Sequence, residues 1–297
     1  MRIMVTGASG YLGWHLTRCA VASDHEVLGC YFANPTVVPG ATMALLDFTD
    51  PQAGIEAVKD FKPHAIVHAG AMTNTTDCEI NPESATRTNV EGTQHLLAAA
   101  SMLSPLPHFV FISTDLVFDG ERGMYREQDA TGPLMHYGFT KIEAERAVRN
   151  YAGVWTVVRS SLIYGPAGET TRHSFLDWML AGIRRGGVTL YTDEFRSPVH
   201  VDDLCEMLMA ILIRKAWGIY HLSGAERTSR YEFGLLAAEA FGLSQDHIVG
   251  KPSPSGIISA TPRPKDVSLC VERAIRDLDY HPMSAEEGLR RVARGSK

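Results

Sequence analysis

Arg2-Ile-Met-Val-Thr6 running directly into Gly7-Ala-Ser-Gly10-Tyr-Leu-Gly13 is the stretch that decides the fold. Ile3–Thr6 is a short apolar run of strand length, and Leu12–Ala22 carries helical spacing. Between them, Gly7 permits a tight turn, Gly10 lets the backbone approach a pyrophosphate, and Gly13 allows close packing of helix on strand. The unpaired N–H groups of a helix start favour an anion. A glycine triplet is a weak signal in a chain with 26 glycines. The strand before it and the helix after it turn the triplet into a dinucleotide-binding fingerprint. Gly7, Gly10, Tyr11, Leu12 and Gly13 are therefore expected at a cofactor.

Outward from that turn the first half keeps one rhythm. Strands are expected at Ile3–Thr6, Glu26–Tyr31, Met43–Leu46, Ala65–His68, Phe109–Ser113 and Thr156–Arg159. Helices are expected at Leu12–Ala22, Gly54–Lys59, Thr88–Ser101 and Gly138–Tyr151. Apolar runs without polar alternation, interleaved with helices, predict a parallel sheet covered on both faces. The fold class is thus α/β: a doubly wound parallel sheet (Rossmann) with a smaller mixed C-terminal substrate lobe. Residues 1–164 are assigned to the dinucleotide-binding domain and 165–297 mainly to the substrate lobe, with a helix at 201–215 packing back on the first domain. In the second half, Phe175–Arg185 and Val201–Lys215 read as amphipathic helices. Ser229-x-x-Glu232 and Ser284-x-x-Glu287 are capping boxes, and Lys251–Pro264 reads as an irregular excursion.

Composition narrows the function. The chain has 297 residues, 45% hydrophobic and 21% charged, with a formal net charge of −6. That sign gives no general attraction to nucleic acid or an anionic membrane. Leu204–Ile213 is half the ~20 residues of a membrane span, and Arg2–Thr6 already reads as a strand, so no signal peptide is expected. Five widely spaced cysteines without a Cys-x-x-Cys pair fit reduced thiols in a cytoplasm. The twelve histidines show no metal spacing, and no catalytic metal is expected. His64 and His68, four apart on a strand, share a sheet face without forming a helix-type ligand pair.

Tyr137-Gly-Phe-Thr-Lys141 puts a phenol and an ammonium on one face at the start of a helix. A free tyrosine titrates near ~10, and a neighbouring cation is expected to lower that value. Tyr137 could then exchange a proton with a substrate oxygen while hydride moves at a nicotinamide. Ser113 and Thr114 end the preceding strand with a hydroxyl pair, and Thr114 is expected to complete the set. Ala69-Gly70-Ala71 ends another strand with residues small enough for close backbone approach to a cofactor. The second strand closes with Tyr31-Phe-Ala-Asn34, which offers neither an acid to read a ribose hydroxyl nor an arginine for a 2′-phosphate. The absence of the acid tilts the expectation toward NADP(H), with NAD(H) also admitted.

The Gly-x-x-Gly-x-x-Gly spacing resembles the extended short-chain dehydrogenase/reductase superfamily (NAD-dependent epimerase/dehydratases). Within it, Ser113-Thr-Asp-Leu-Val-Phe-Asp-Gly120, Tyr125-x-Glu127-x-Asp129, Pro133 and Tyr137-Gly-x-Thr-Lys141 look like the dTDP-4-dehydrorhamnose reductase family. Arg196-Ser-Pro-Val-His-Val-Asp-Asp-Leu204 and Arg263-Pro-Lys-Asp-Val-Ser-Leu269 are similar as well. The resemblance implies an NAD(P)H-dependent oxidoreductase that reduces a keto sugar nucleotide, a 4-keto-6-deoxysugar such as dTDP-4-dehydrorhamnose. It further implies Thr114, Tyr137 and Lys141 as catalytic residues, with Asp115 beside the substrate and Ser113, Tyr137 and Lys141 near the cofactor. Asp47 would meet the adenine, although a helix cap is the alternative, and Arg196 and Arg263 would bind substrate, Arg263 as a diphosphate clamp. Leu116 stands where the family pattern has a tyrosine. Asn89-Val-Glu-Gly-Thr93 looks more like the wider superfamily. The expected partner is a small-molecule substrate, and a homodimer is allowed. Two rivals share these residues: another dehydrogenase or epimerase of a different ketone or alcohol, and a non-catalytic NADP-binding subunit resembling that of methionine adenosyltransferase.

Overall fold

The computed structural model describes residues 1–168, 174–254 and 263–295. The first half runs β1 (Arg2–Thr6), α1 (Tyr11–Ala22), β2 (Glu26–Tyr31), β3 (Thr42–Leu45), α2 (Pro51–Phe61), β4 (Ala65–His68), α3 (Thr75–Ile80), α4 (Pro82–Thr86), α5 (Gly92–Ala100), β5 (His108–Thr114), α6 (His136–Arg149) and β6 (Trp155–Ser160). The second half runs β7 (Ile163–Tyr164), α7 (Phe175–Arg184), β8 (Val188–Tyr191), β9 (Phe195–Arg196), β10 (Val199–His200), α8 (Val201–Arg214), β11 (Gly218–Leu222), β12 (Thr228–Ser229), α9 (Arg230–Phe241), β13 (Ile248–Lys251), α10 (Glu272–Leu278) and α11 (Ala285–Gly295).

Seven parallel strands form the central sheet in the order β11-β6-β5-β4-β1-β2-β3. Alternate residues of each strand feed two cores. Ile3, Val5, Val67, Val110 and Ile112 pack under α1 and α8, whereas Met4, Ile66, Phe109 and Phe111 pack under α2, α5 and α6. Both faces are therefore covered, which is why these strands read as unbroken apolar runs. The chain winds outward in opposite directions from β1 and β4, and the crevice at their carboxyl ends is where such sheets bind ligands.

Three features depart from the sequence expectation. The six expected strands all precede residue 164, yet β11 adds a seventh from the second half. It pairs with β6 from Gly218↔Thr156 to Leu222↔Ser160, after α8 has crossed over the sheet to pack on α1. Thr88–Ser101 is not one helix, because a π-helical turn at Arg87–Glu91 precedes α5. A third capping box, Ser174 with Asp177, opens α7. Its acid is Asp, not the Glu or Gln of the sequence signature. The boxes at Ser229 and Ser284 form as expected.

A separate, smaller core joins α7, α9 and α11 through Leu176, Met179, Phe233 and Leu289. Of the Lys251–Pro264 excursion, residues 255–262 lie outside the described residues. Among the described residues no helix is long and apolar enough to cross a membrane.

Candidate active site

The glycine turn is a cradle that side chains would fill. Gly7 has φ +70°, and a Cβ there would stand 2.7 Å from the N and Cα of Gly70. A Cβ on Gly13 would stand 2.1 Å from the Gly7 carbonyl oxygen. Gly10 is the N-cap of α1 and supplies no capping side chain, and the first turn holds no acid. The backbone donors of Tyr11, Leu12 and Gly13 are thus left for an outside acceptor, and the positive end of α1 favours an anionic one. A dinucleotide pyrophosphate fits this turn. The Tyr11 hydroxyl faces away, donating to the Pro166 carbonyl at 3.1 Å, and the Leu12 side chain belongs to the core under α1.

Across the crevice, Ala69-Gly70-Ala71 follows β4, and the Gly70 N–H donates to Thr6 Oγ1 at 3.2 Å. Thr6 and Thr93 bracket the buried His68 at 2.6 and 3.0 Å. Burial, then the nearby Lys141, push the His68 pKa down to about 3, so this ring is a neutral strut. Asp47 Oδ1 accepts from the Thr49 N–H and hydroxyl at 2.9 and 2.7 Å. The cap of α2 is Asp50, so Asp47 is no helix cap.

Tyr137 and Lys141 lie one turn apart on α6, 8% and 3% exposed. The Lys141 ammonium sits 4.0 Å from the centre of the Phe111 ring. Burial lowers its pKa to about 7, with Glu145 opposing the change. The Tyr137 phenol is raised above its ordinary value by burial, then by Asp115 and Cys78. This is opposite to the sequence expectation. Desolvation of the phenolate outweighs the help of a lysine whose own charge is disfavoured by burial.

Thr114 Oγ1 donates to Asp115 Oδ1 at 3.1 Å and accepts from the Leu116 N–H at 3.3 Å. The other Asp115 oxygen accepts from Ser161 at 2.7 Å and lies 3.7 Å from Arg196 Nε. The Ser113 hydroxyl points away from the crevice, donating to Glu145 at 2.5 Å. Glu145 is also held by Arg159 through bonds of 3.0 and 2.7 Å. Asn89, turned inward by the π-helical segment, grips the Met72 backbone at 2.8 and 3.0 Å and donates to Thr140 at 2.9 Å. Thr140 in turn donates to the Tyr137 carbonyl at 2.7 Å.

Sequence reasoning did not single out Glu145, Arg159, Ser161 or Asn89 for these roles. Glu145 carried a usable signal in continuing the four-residue spacing of Tyr137 and Lys141, and Asn89 carried one in the superfamily-like Asn89-Val-Glu-Gly-Thr93.

Beyond Asp115 the positive charges gather. Glu194, 1% exposed, accepts from Arg230 at 2.7 Å and Arg263 at 3.3 Å. Burial, then Arg196, push the Arg230 pKa down. Three guanidinium groups therefore share Glu194 and Asp115. Arg263 also lines a cavity of about 460 Å³ with Arg122, Arg227 and Lys265, alongside the carboxylates of Asp119, Glu121, Asp193 and Asp266. The arrangement joins a proton donor, a buried ammonium and a hydroxyl at a sheet edge to an arginine-rich recess suited to phosphate oxygens.

A family model described as RmlD substrate binding domain matches residues 1–296. "Methionine adenosyltransferase 2 subunit beta" of Xenopus laevis is 31% identical over 271 residues, covering 89% of this chain and 78% of that protein. "Probable low-salt glycan biosynthesis reductase Agl14" of Haloferax volcanii is 30% identical over 246 residues, covering 82% and 81%. A crystal structure of a "hypothetical dTDP-4-dehydrorhamnose reductase" from Sulfolobus tokodaii superposes with a TM-score of 0.82 at 30% identity, covering 96% of this chain and 98% of the other.

Proposed function

The chain belongs to the RmlD substrate binding domain family, and from that premise we propose that it is a nicotinamide-dependent oxidoreductase of a keto sugar nucleotide, a 4-keto-6-deoxysugar such as dTDP-4-dehydrorhamnose. The observation that carries this reading is the gathering of Arg196, Arg230 and Arg263 on Glu194 and Asp115, next to Thr114 and Tyr137. A small ketone would need no such recess, whereas a diphosphate-linked sugar brings two negative charges that must be met inside the protein.

The glycine turn holds the dinucleotide pyrophosphate, Ala69–Ala71 lines the crevice, and Asp47 keeps a carboxylate oxygen for the adenine. When bound, the nicotinamide supplies hydride to the substrate carbonyl. Thr114 orients that carbonyl and Tyr137 donates a proton to its oxygen. Lys141 holds the nicotinamide ribose, whose hydroxyls offer its ammonium the hydrogen-bond partners that the described residues do not. Asp115 fixes Thr114 on one side and Arg196 on the other. With no acid at the end of β2, NADP(H) is preferred and NAD(H) accepted. Residues 1–164, with α8 and β11, carry the cofactor, and the remainder of 165–297 closes over the substrate in a cytoplasmic protein.

The likeness to a methionine adenosyltransferase subunit favours a second reading, a cofactor-binding regulatory subunit. Sugar nucleotides screened for NADPH oxidation separate the two. Turnover of a 4-keto sugar nucleotide supports the reductase. No turnover of any ketone, with stable capture of a synthetase partner, supports the subunit.

A further inference from the structure

A cavity of about 620 Å³ opens between the end of α6 and the face of α10, with the segment 126–131 along one side and Arg159 of β6 and Ile219 of β11 among its lining. This volume lies within the ~300–1,000 Å³ of small-molecule sites. The cavity stands at the β11 edge of the sheet, with β5 and β4 between it and the glycine turn after β1.

Its lining holds six arginines (Arg126, Arg146, Arg149, Arg159, Arg273 and Arg276) against four carboxylates, in a chain whose net charge is −6. Two of the six are committed. Arg159 is sealed against Glu145, and Arg273 donates to the carbonyls of Ile219 and Trp217 at 2.8 and 3.2 Å. The other four reach the mouth. Arg126, Arg146 and Arg276 are more than half exposed and meet Glu272, Glu143 and Asp277 in surface pairs. Such pairs contribute only ~0–1 kcal/mol and exchange readily for a better acceptor. Arg149 is exposed and forms no ion pair among the described residues.

Guanidinium groups on facing walls repel one another unless an anion lies between them. Their planar forks match phosphate oxygens two at a time. We propose that this groove is a second binding site, separate from the catalytic crevice, for a small phosphate-bearing anion with at least two negative charges.

Inorganic pyrophosphate is the probe, titrated calorimetrically into the protein with and without saturating NADP⁺. A site that survives both saturating NADP⁺ and the Arg263→Ala substitution should be present, and its affinity should fall with added salt. Arg149→Ala and Arg276→Ala remove one exposed group from each wall and should leave the melting temperature unchanged. Each should weaken binding about tenfold, the size of one charge-assisted contact of ~1.4 kcal/mol. Arg263→Ala, in the other cavity, should leave it unaltered. The proposal is overturned by no binding at millimolar pyrophosphate, by a site that NADP⁺ abolishes, or by affinity that either wall variant leaves untouched.

Discussion

Replacing Lys141 by methionine should make the cofactor-free protein more stable near pH 6 than near pH 10.5, each relative to wild type. Lys141 is buried, its ammonium rests on the Phe111 ring, and burial lowers its pKa to about 7. In the unfolded chain the same group titrates at the ordinary lysine value of 10.5. Between those values the unfolded state binds a proton that the folded state does not, so stability rises with pH across this window. The contribution of Lys141 is fully favourable above about 10.5 and is lost as pH falls through about 7. The gap, at 1.36 kcal/mol per pH unit, corresponds to about 5 kcal/mol. That is a large share of the ~5–15 kcal/mol that holds a typical domain folded. Urea unfolding of both proteins at intervals from pH 6 to 10.5 measures it, because groups common to both cancel in the difference. A stability difference that stays constant over the whole range would refute the reasoning and mean that Lys141 is solvated. Repeating the series with bound cofactor should shrink the effect, since ribose hydroxyls would hold the charged form.

Tyr137→Phe keeps the ring in its pocket with Cys78 and Ala85 and removes the proton donor. Turnover should fall on the order of 10²-fold or more while cofactor affinity holds, and near-normal kcat would reject the assigned acid. Arg263→Ala should raise KM for a sugar nucleotide about 10- to 100-fold, from a charge-assisted contact of roughly 1.5–3 kcal/mol, and leave a phosphate-free ketone unaffected; equal losses would make Arg263 structural. Tyr31→Asp places an acid at the end of β2, so titration with both cofactors should show preference moving toward NADH.

The sequence by itself determined whatever is encoded within one turn of chain. The glycine spacing of 7–13 required an open backbone turn, and the four-residue step from Tyr137 to Lys141 put both on one helix face. The apolar runs announced strands buried on both sides, all six of them within one residue of the observed ends at both termini. Their interleaving with helices announced a doubly wound sheet. What only the tertiary structure decided are contacts between distant segments. Ser113, Arg159 and Glu145 meet because β5 and β6 pair Ser113↔Arg159 and α6 lies across them. Arg230 and Arg263 converge on Glu194 and Arg196 on Asp115, and no local spacing relates the three arginines. The seventh strand reaches the sheet from the second half through the crossover of α8, which packs on α1. The direction of the Tyr137 shift was hidden for the same reason. It depends on how much protein surrounds the phenol, and burial is a property of the packed chain, not of the residues beside it.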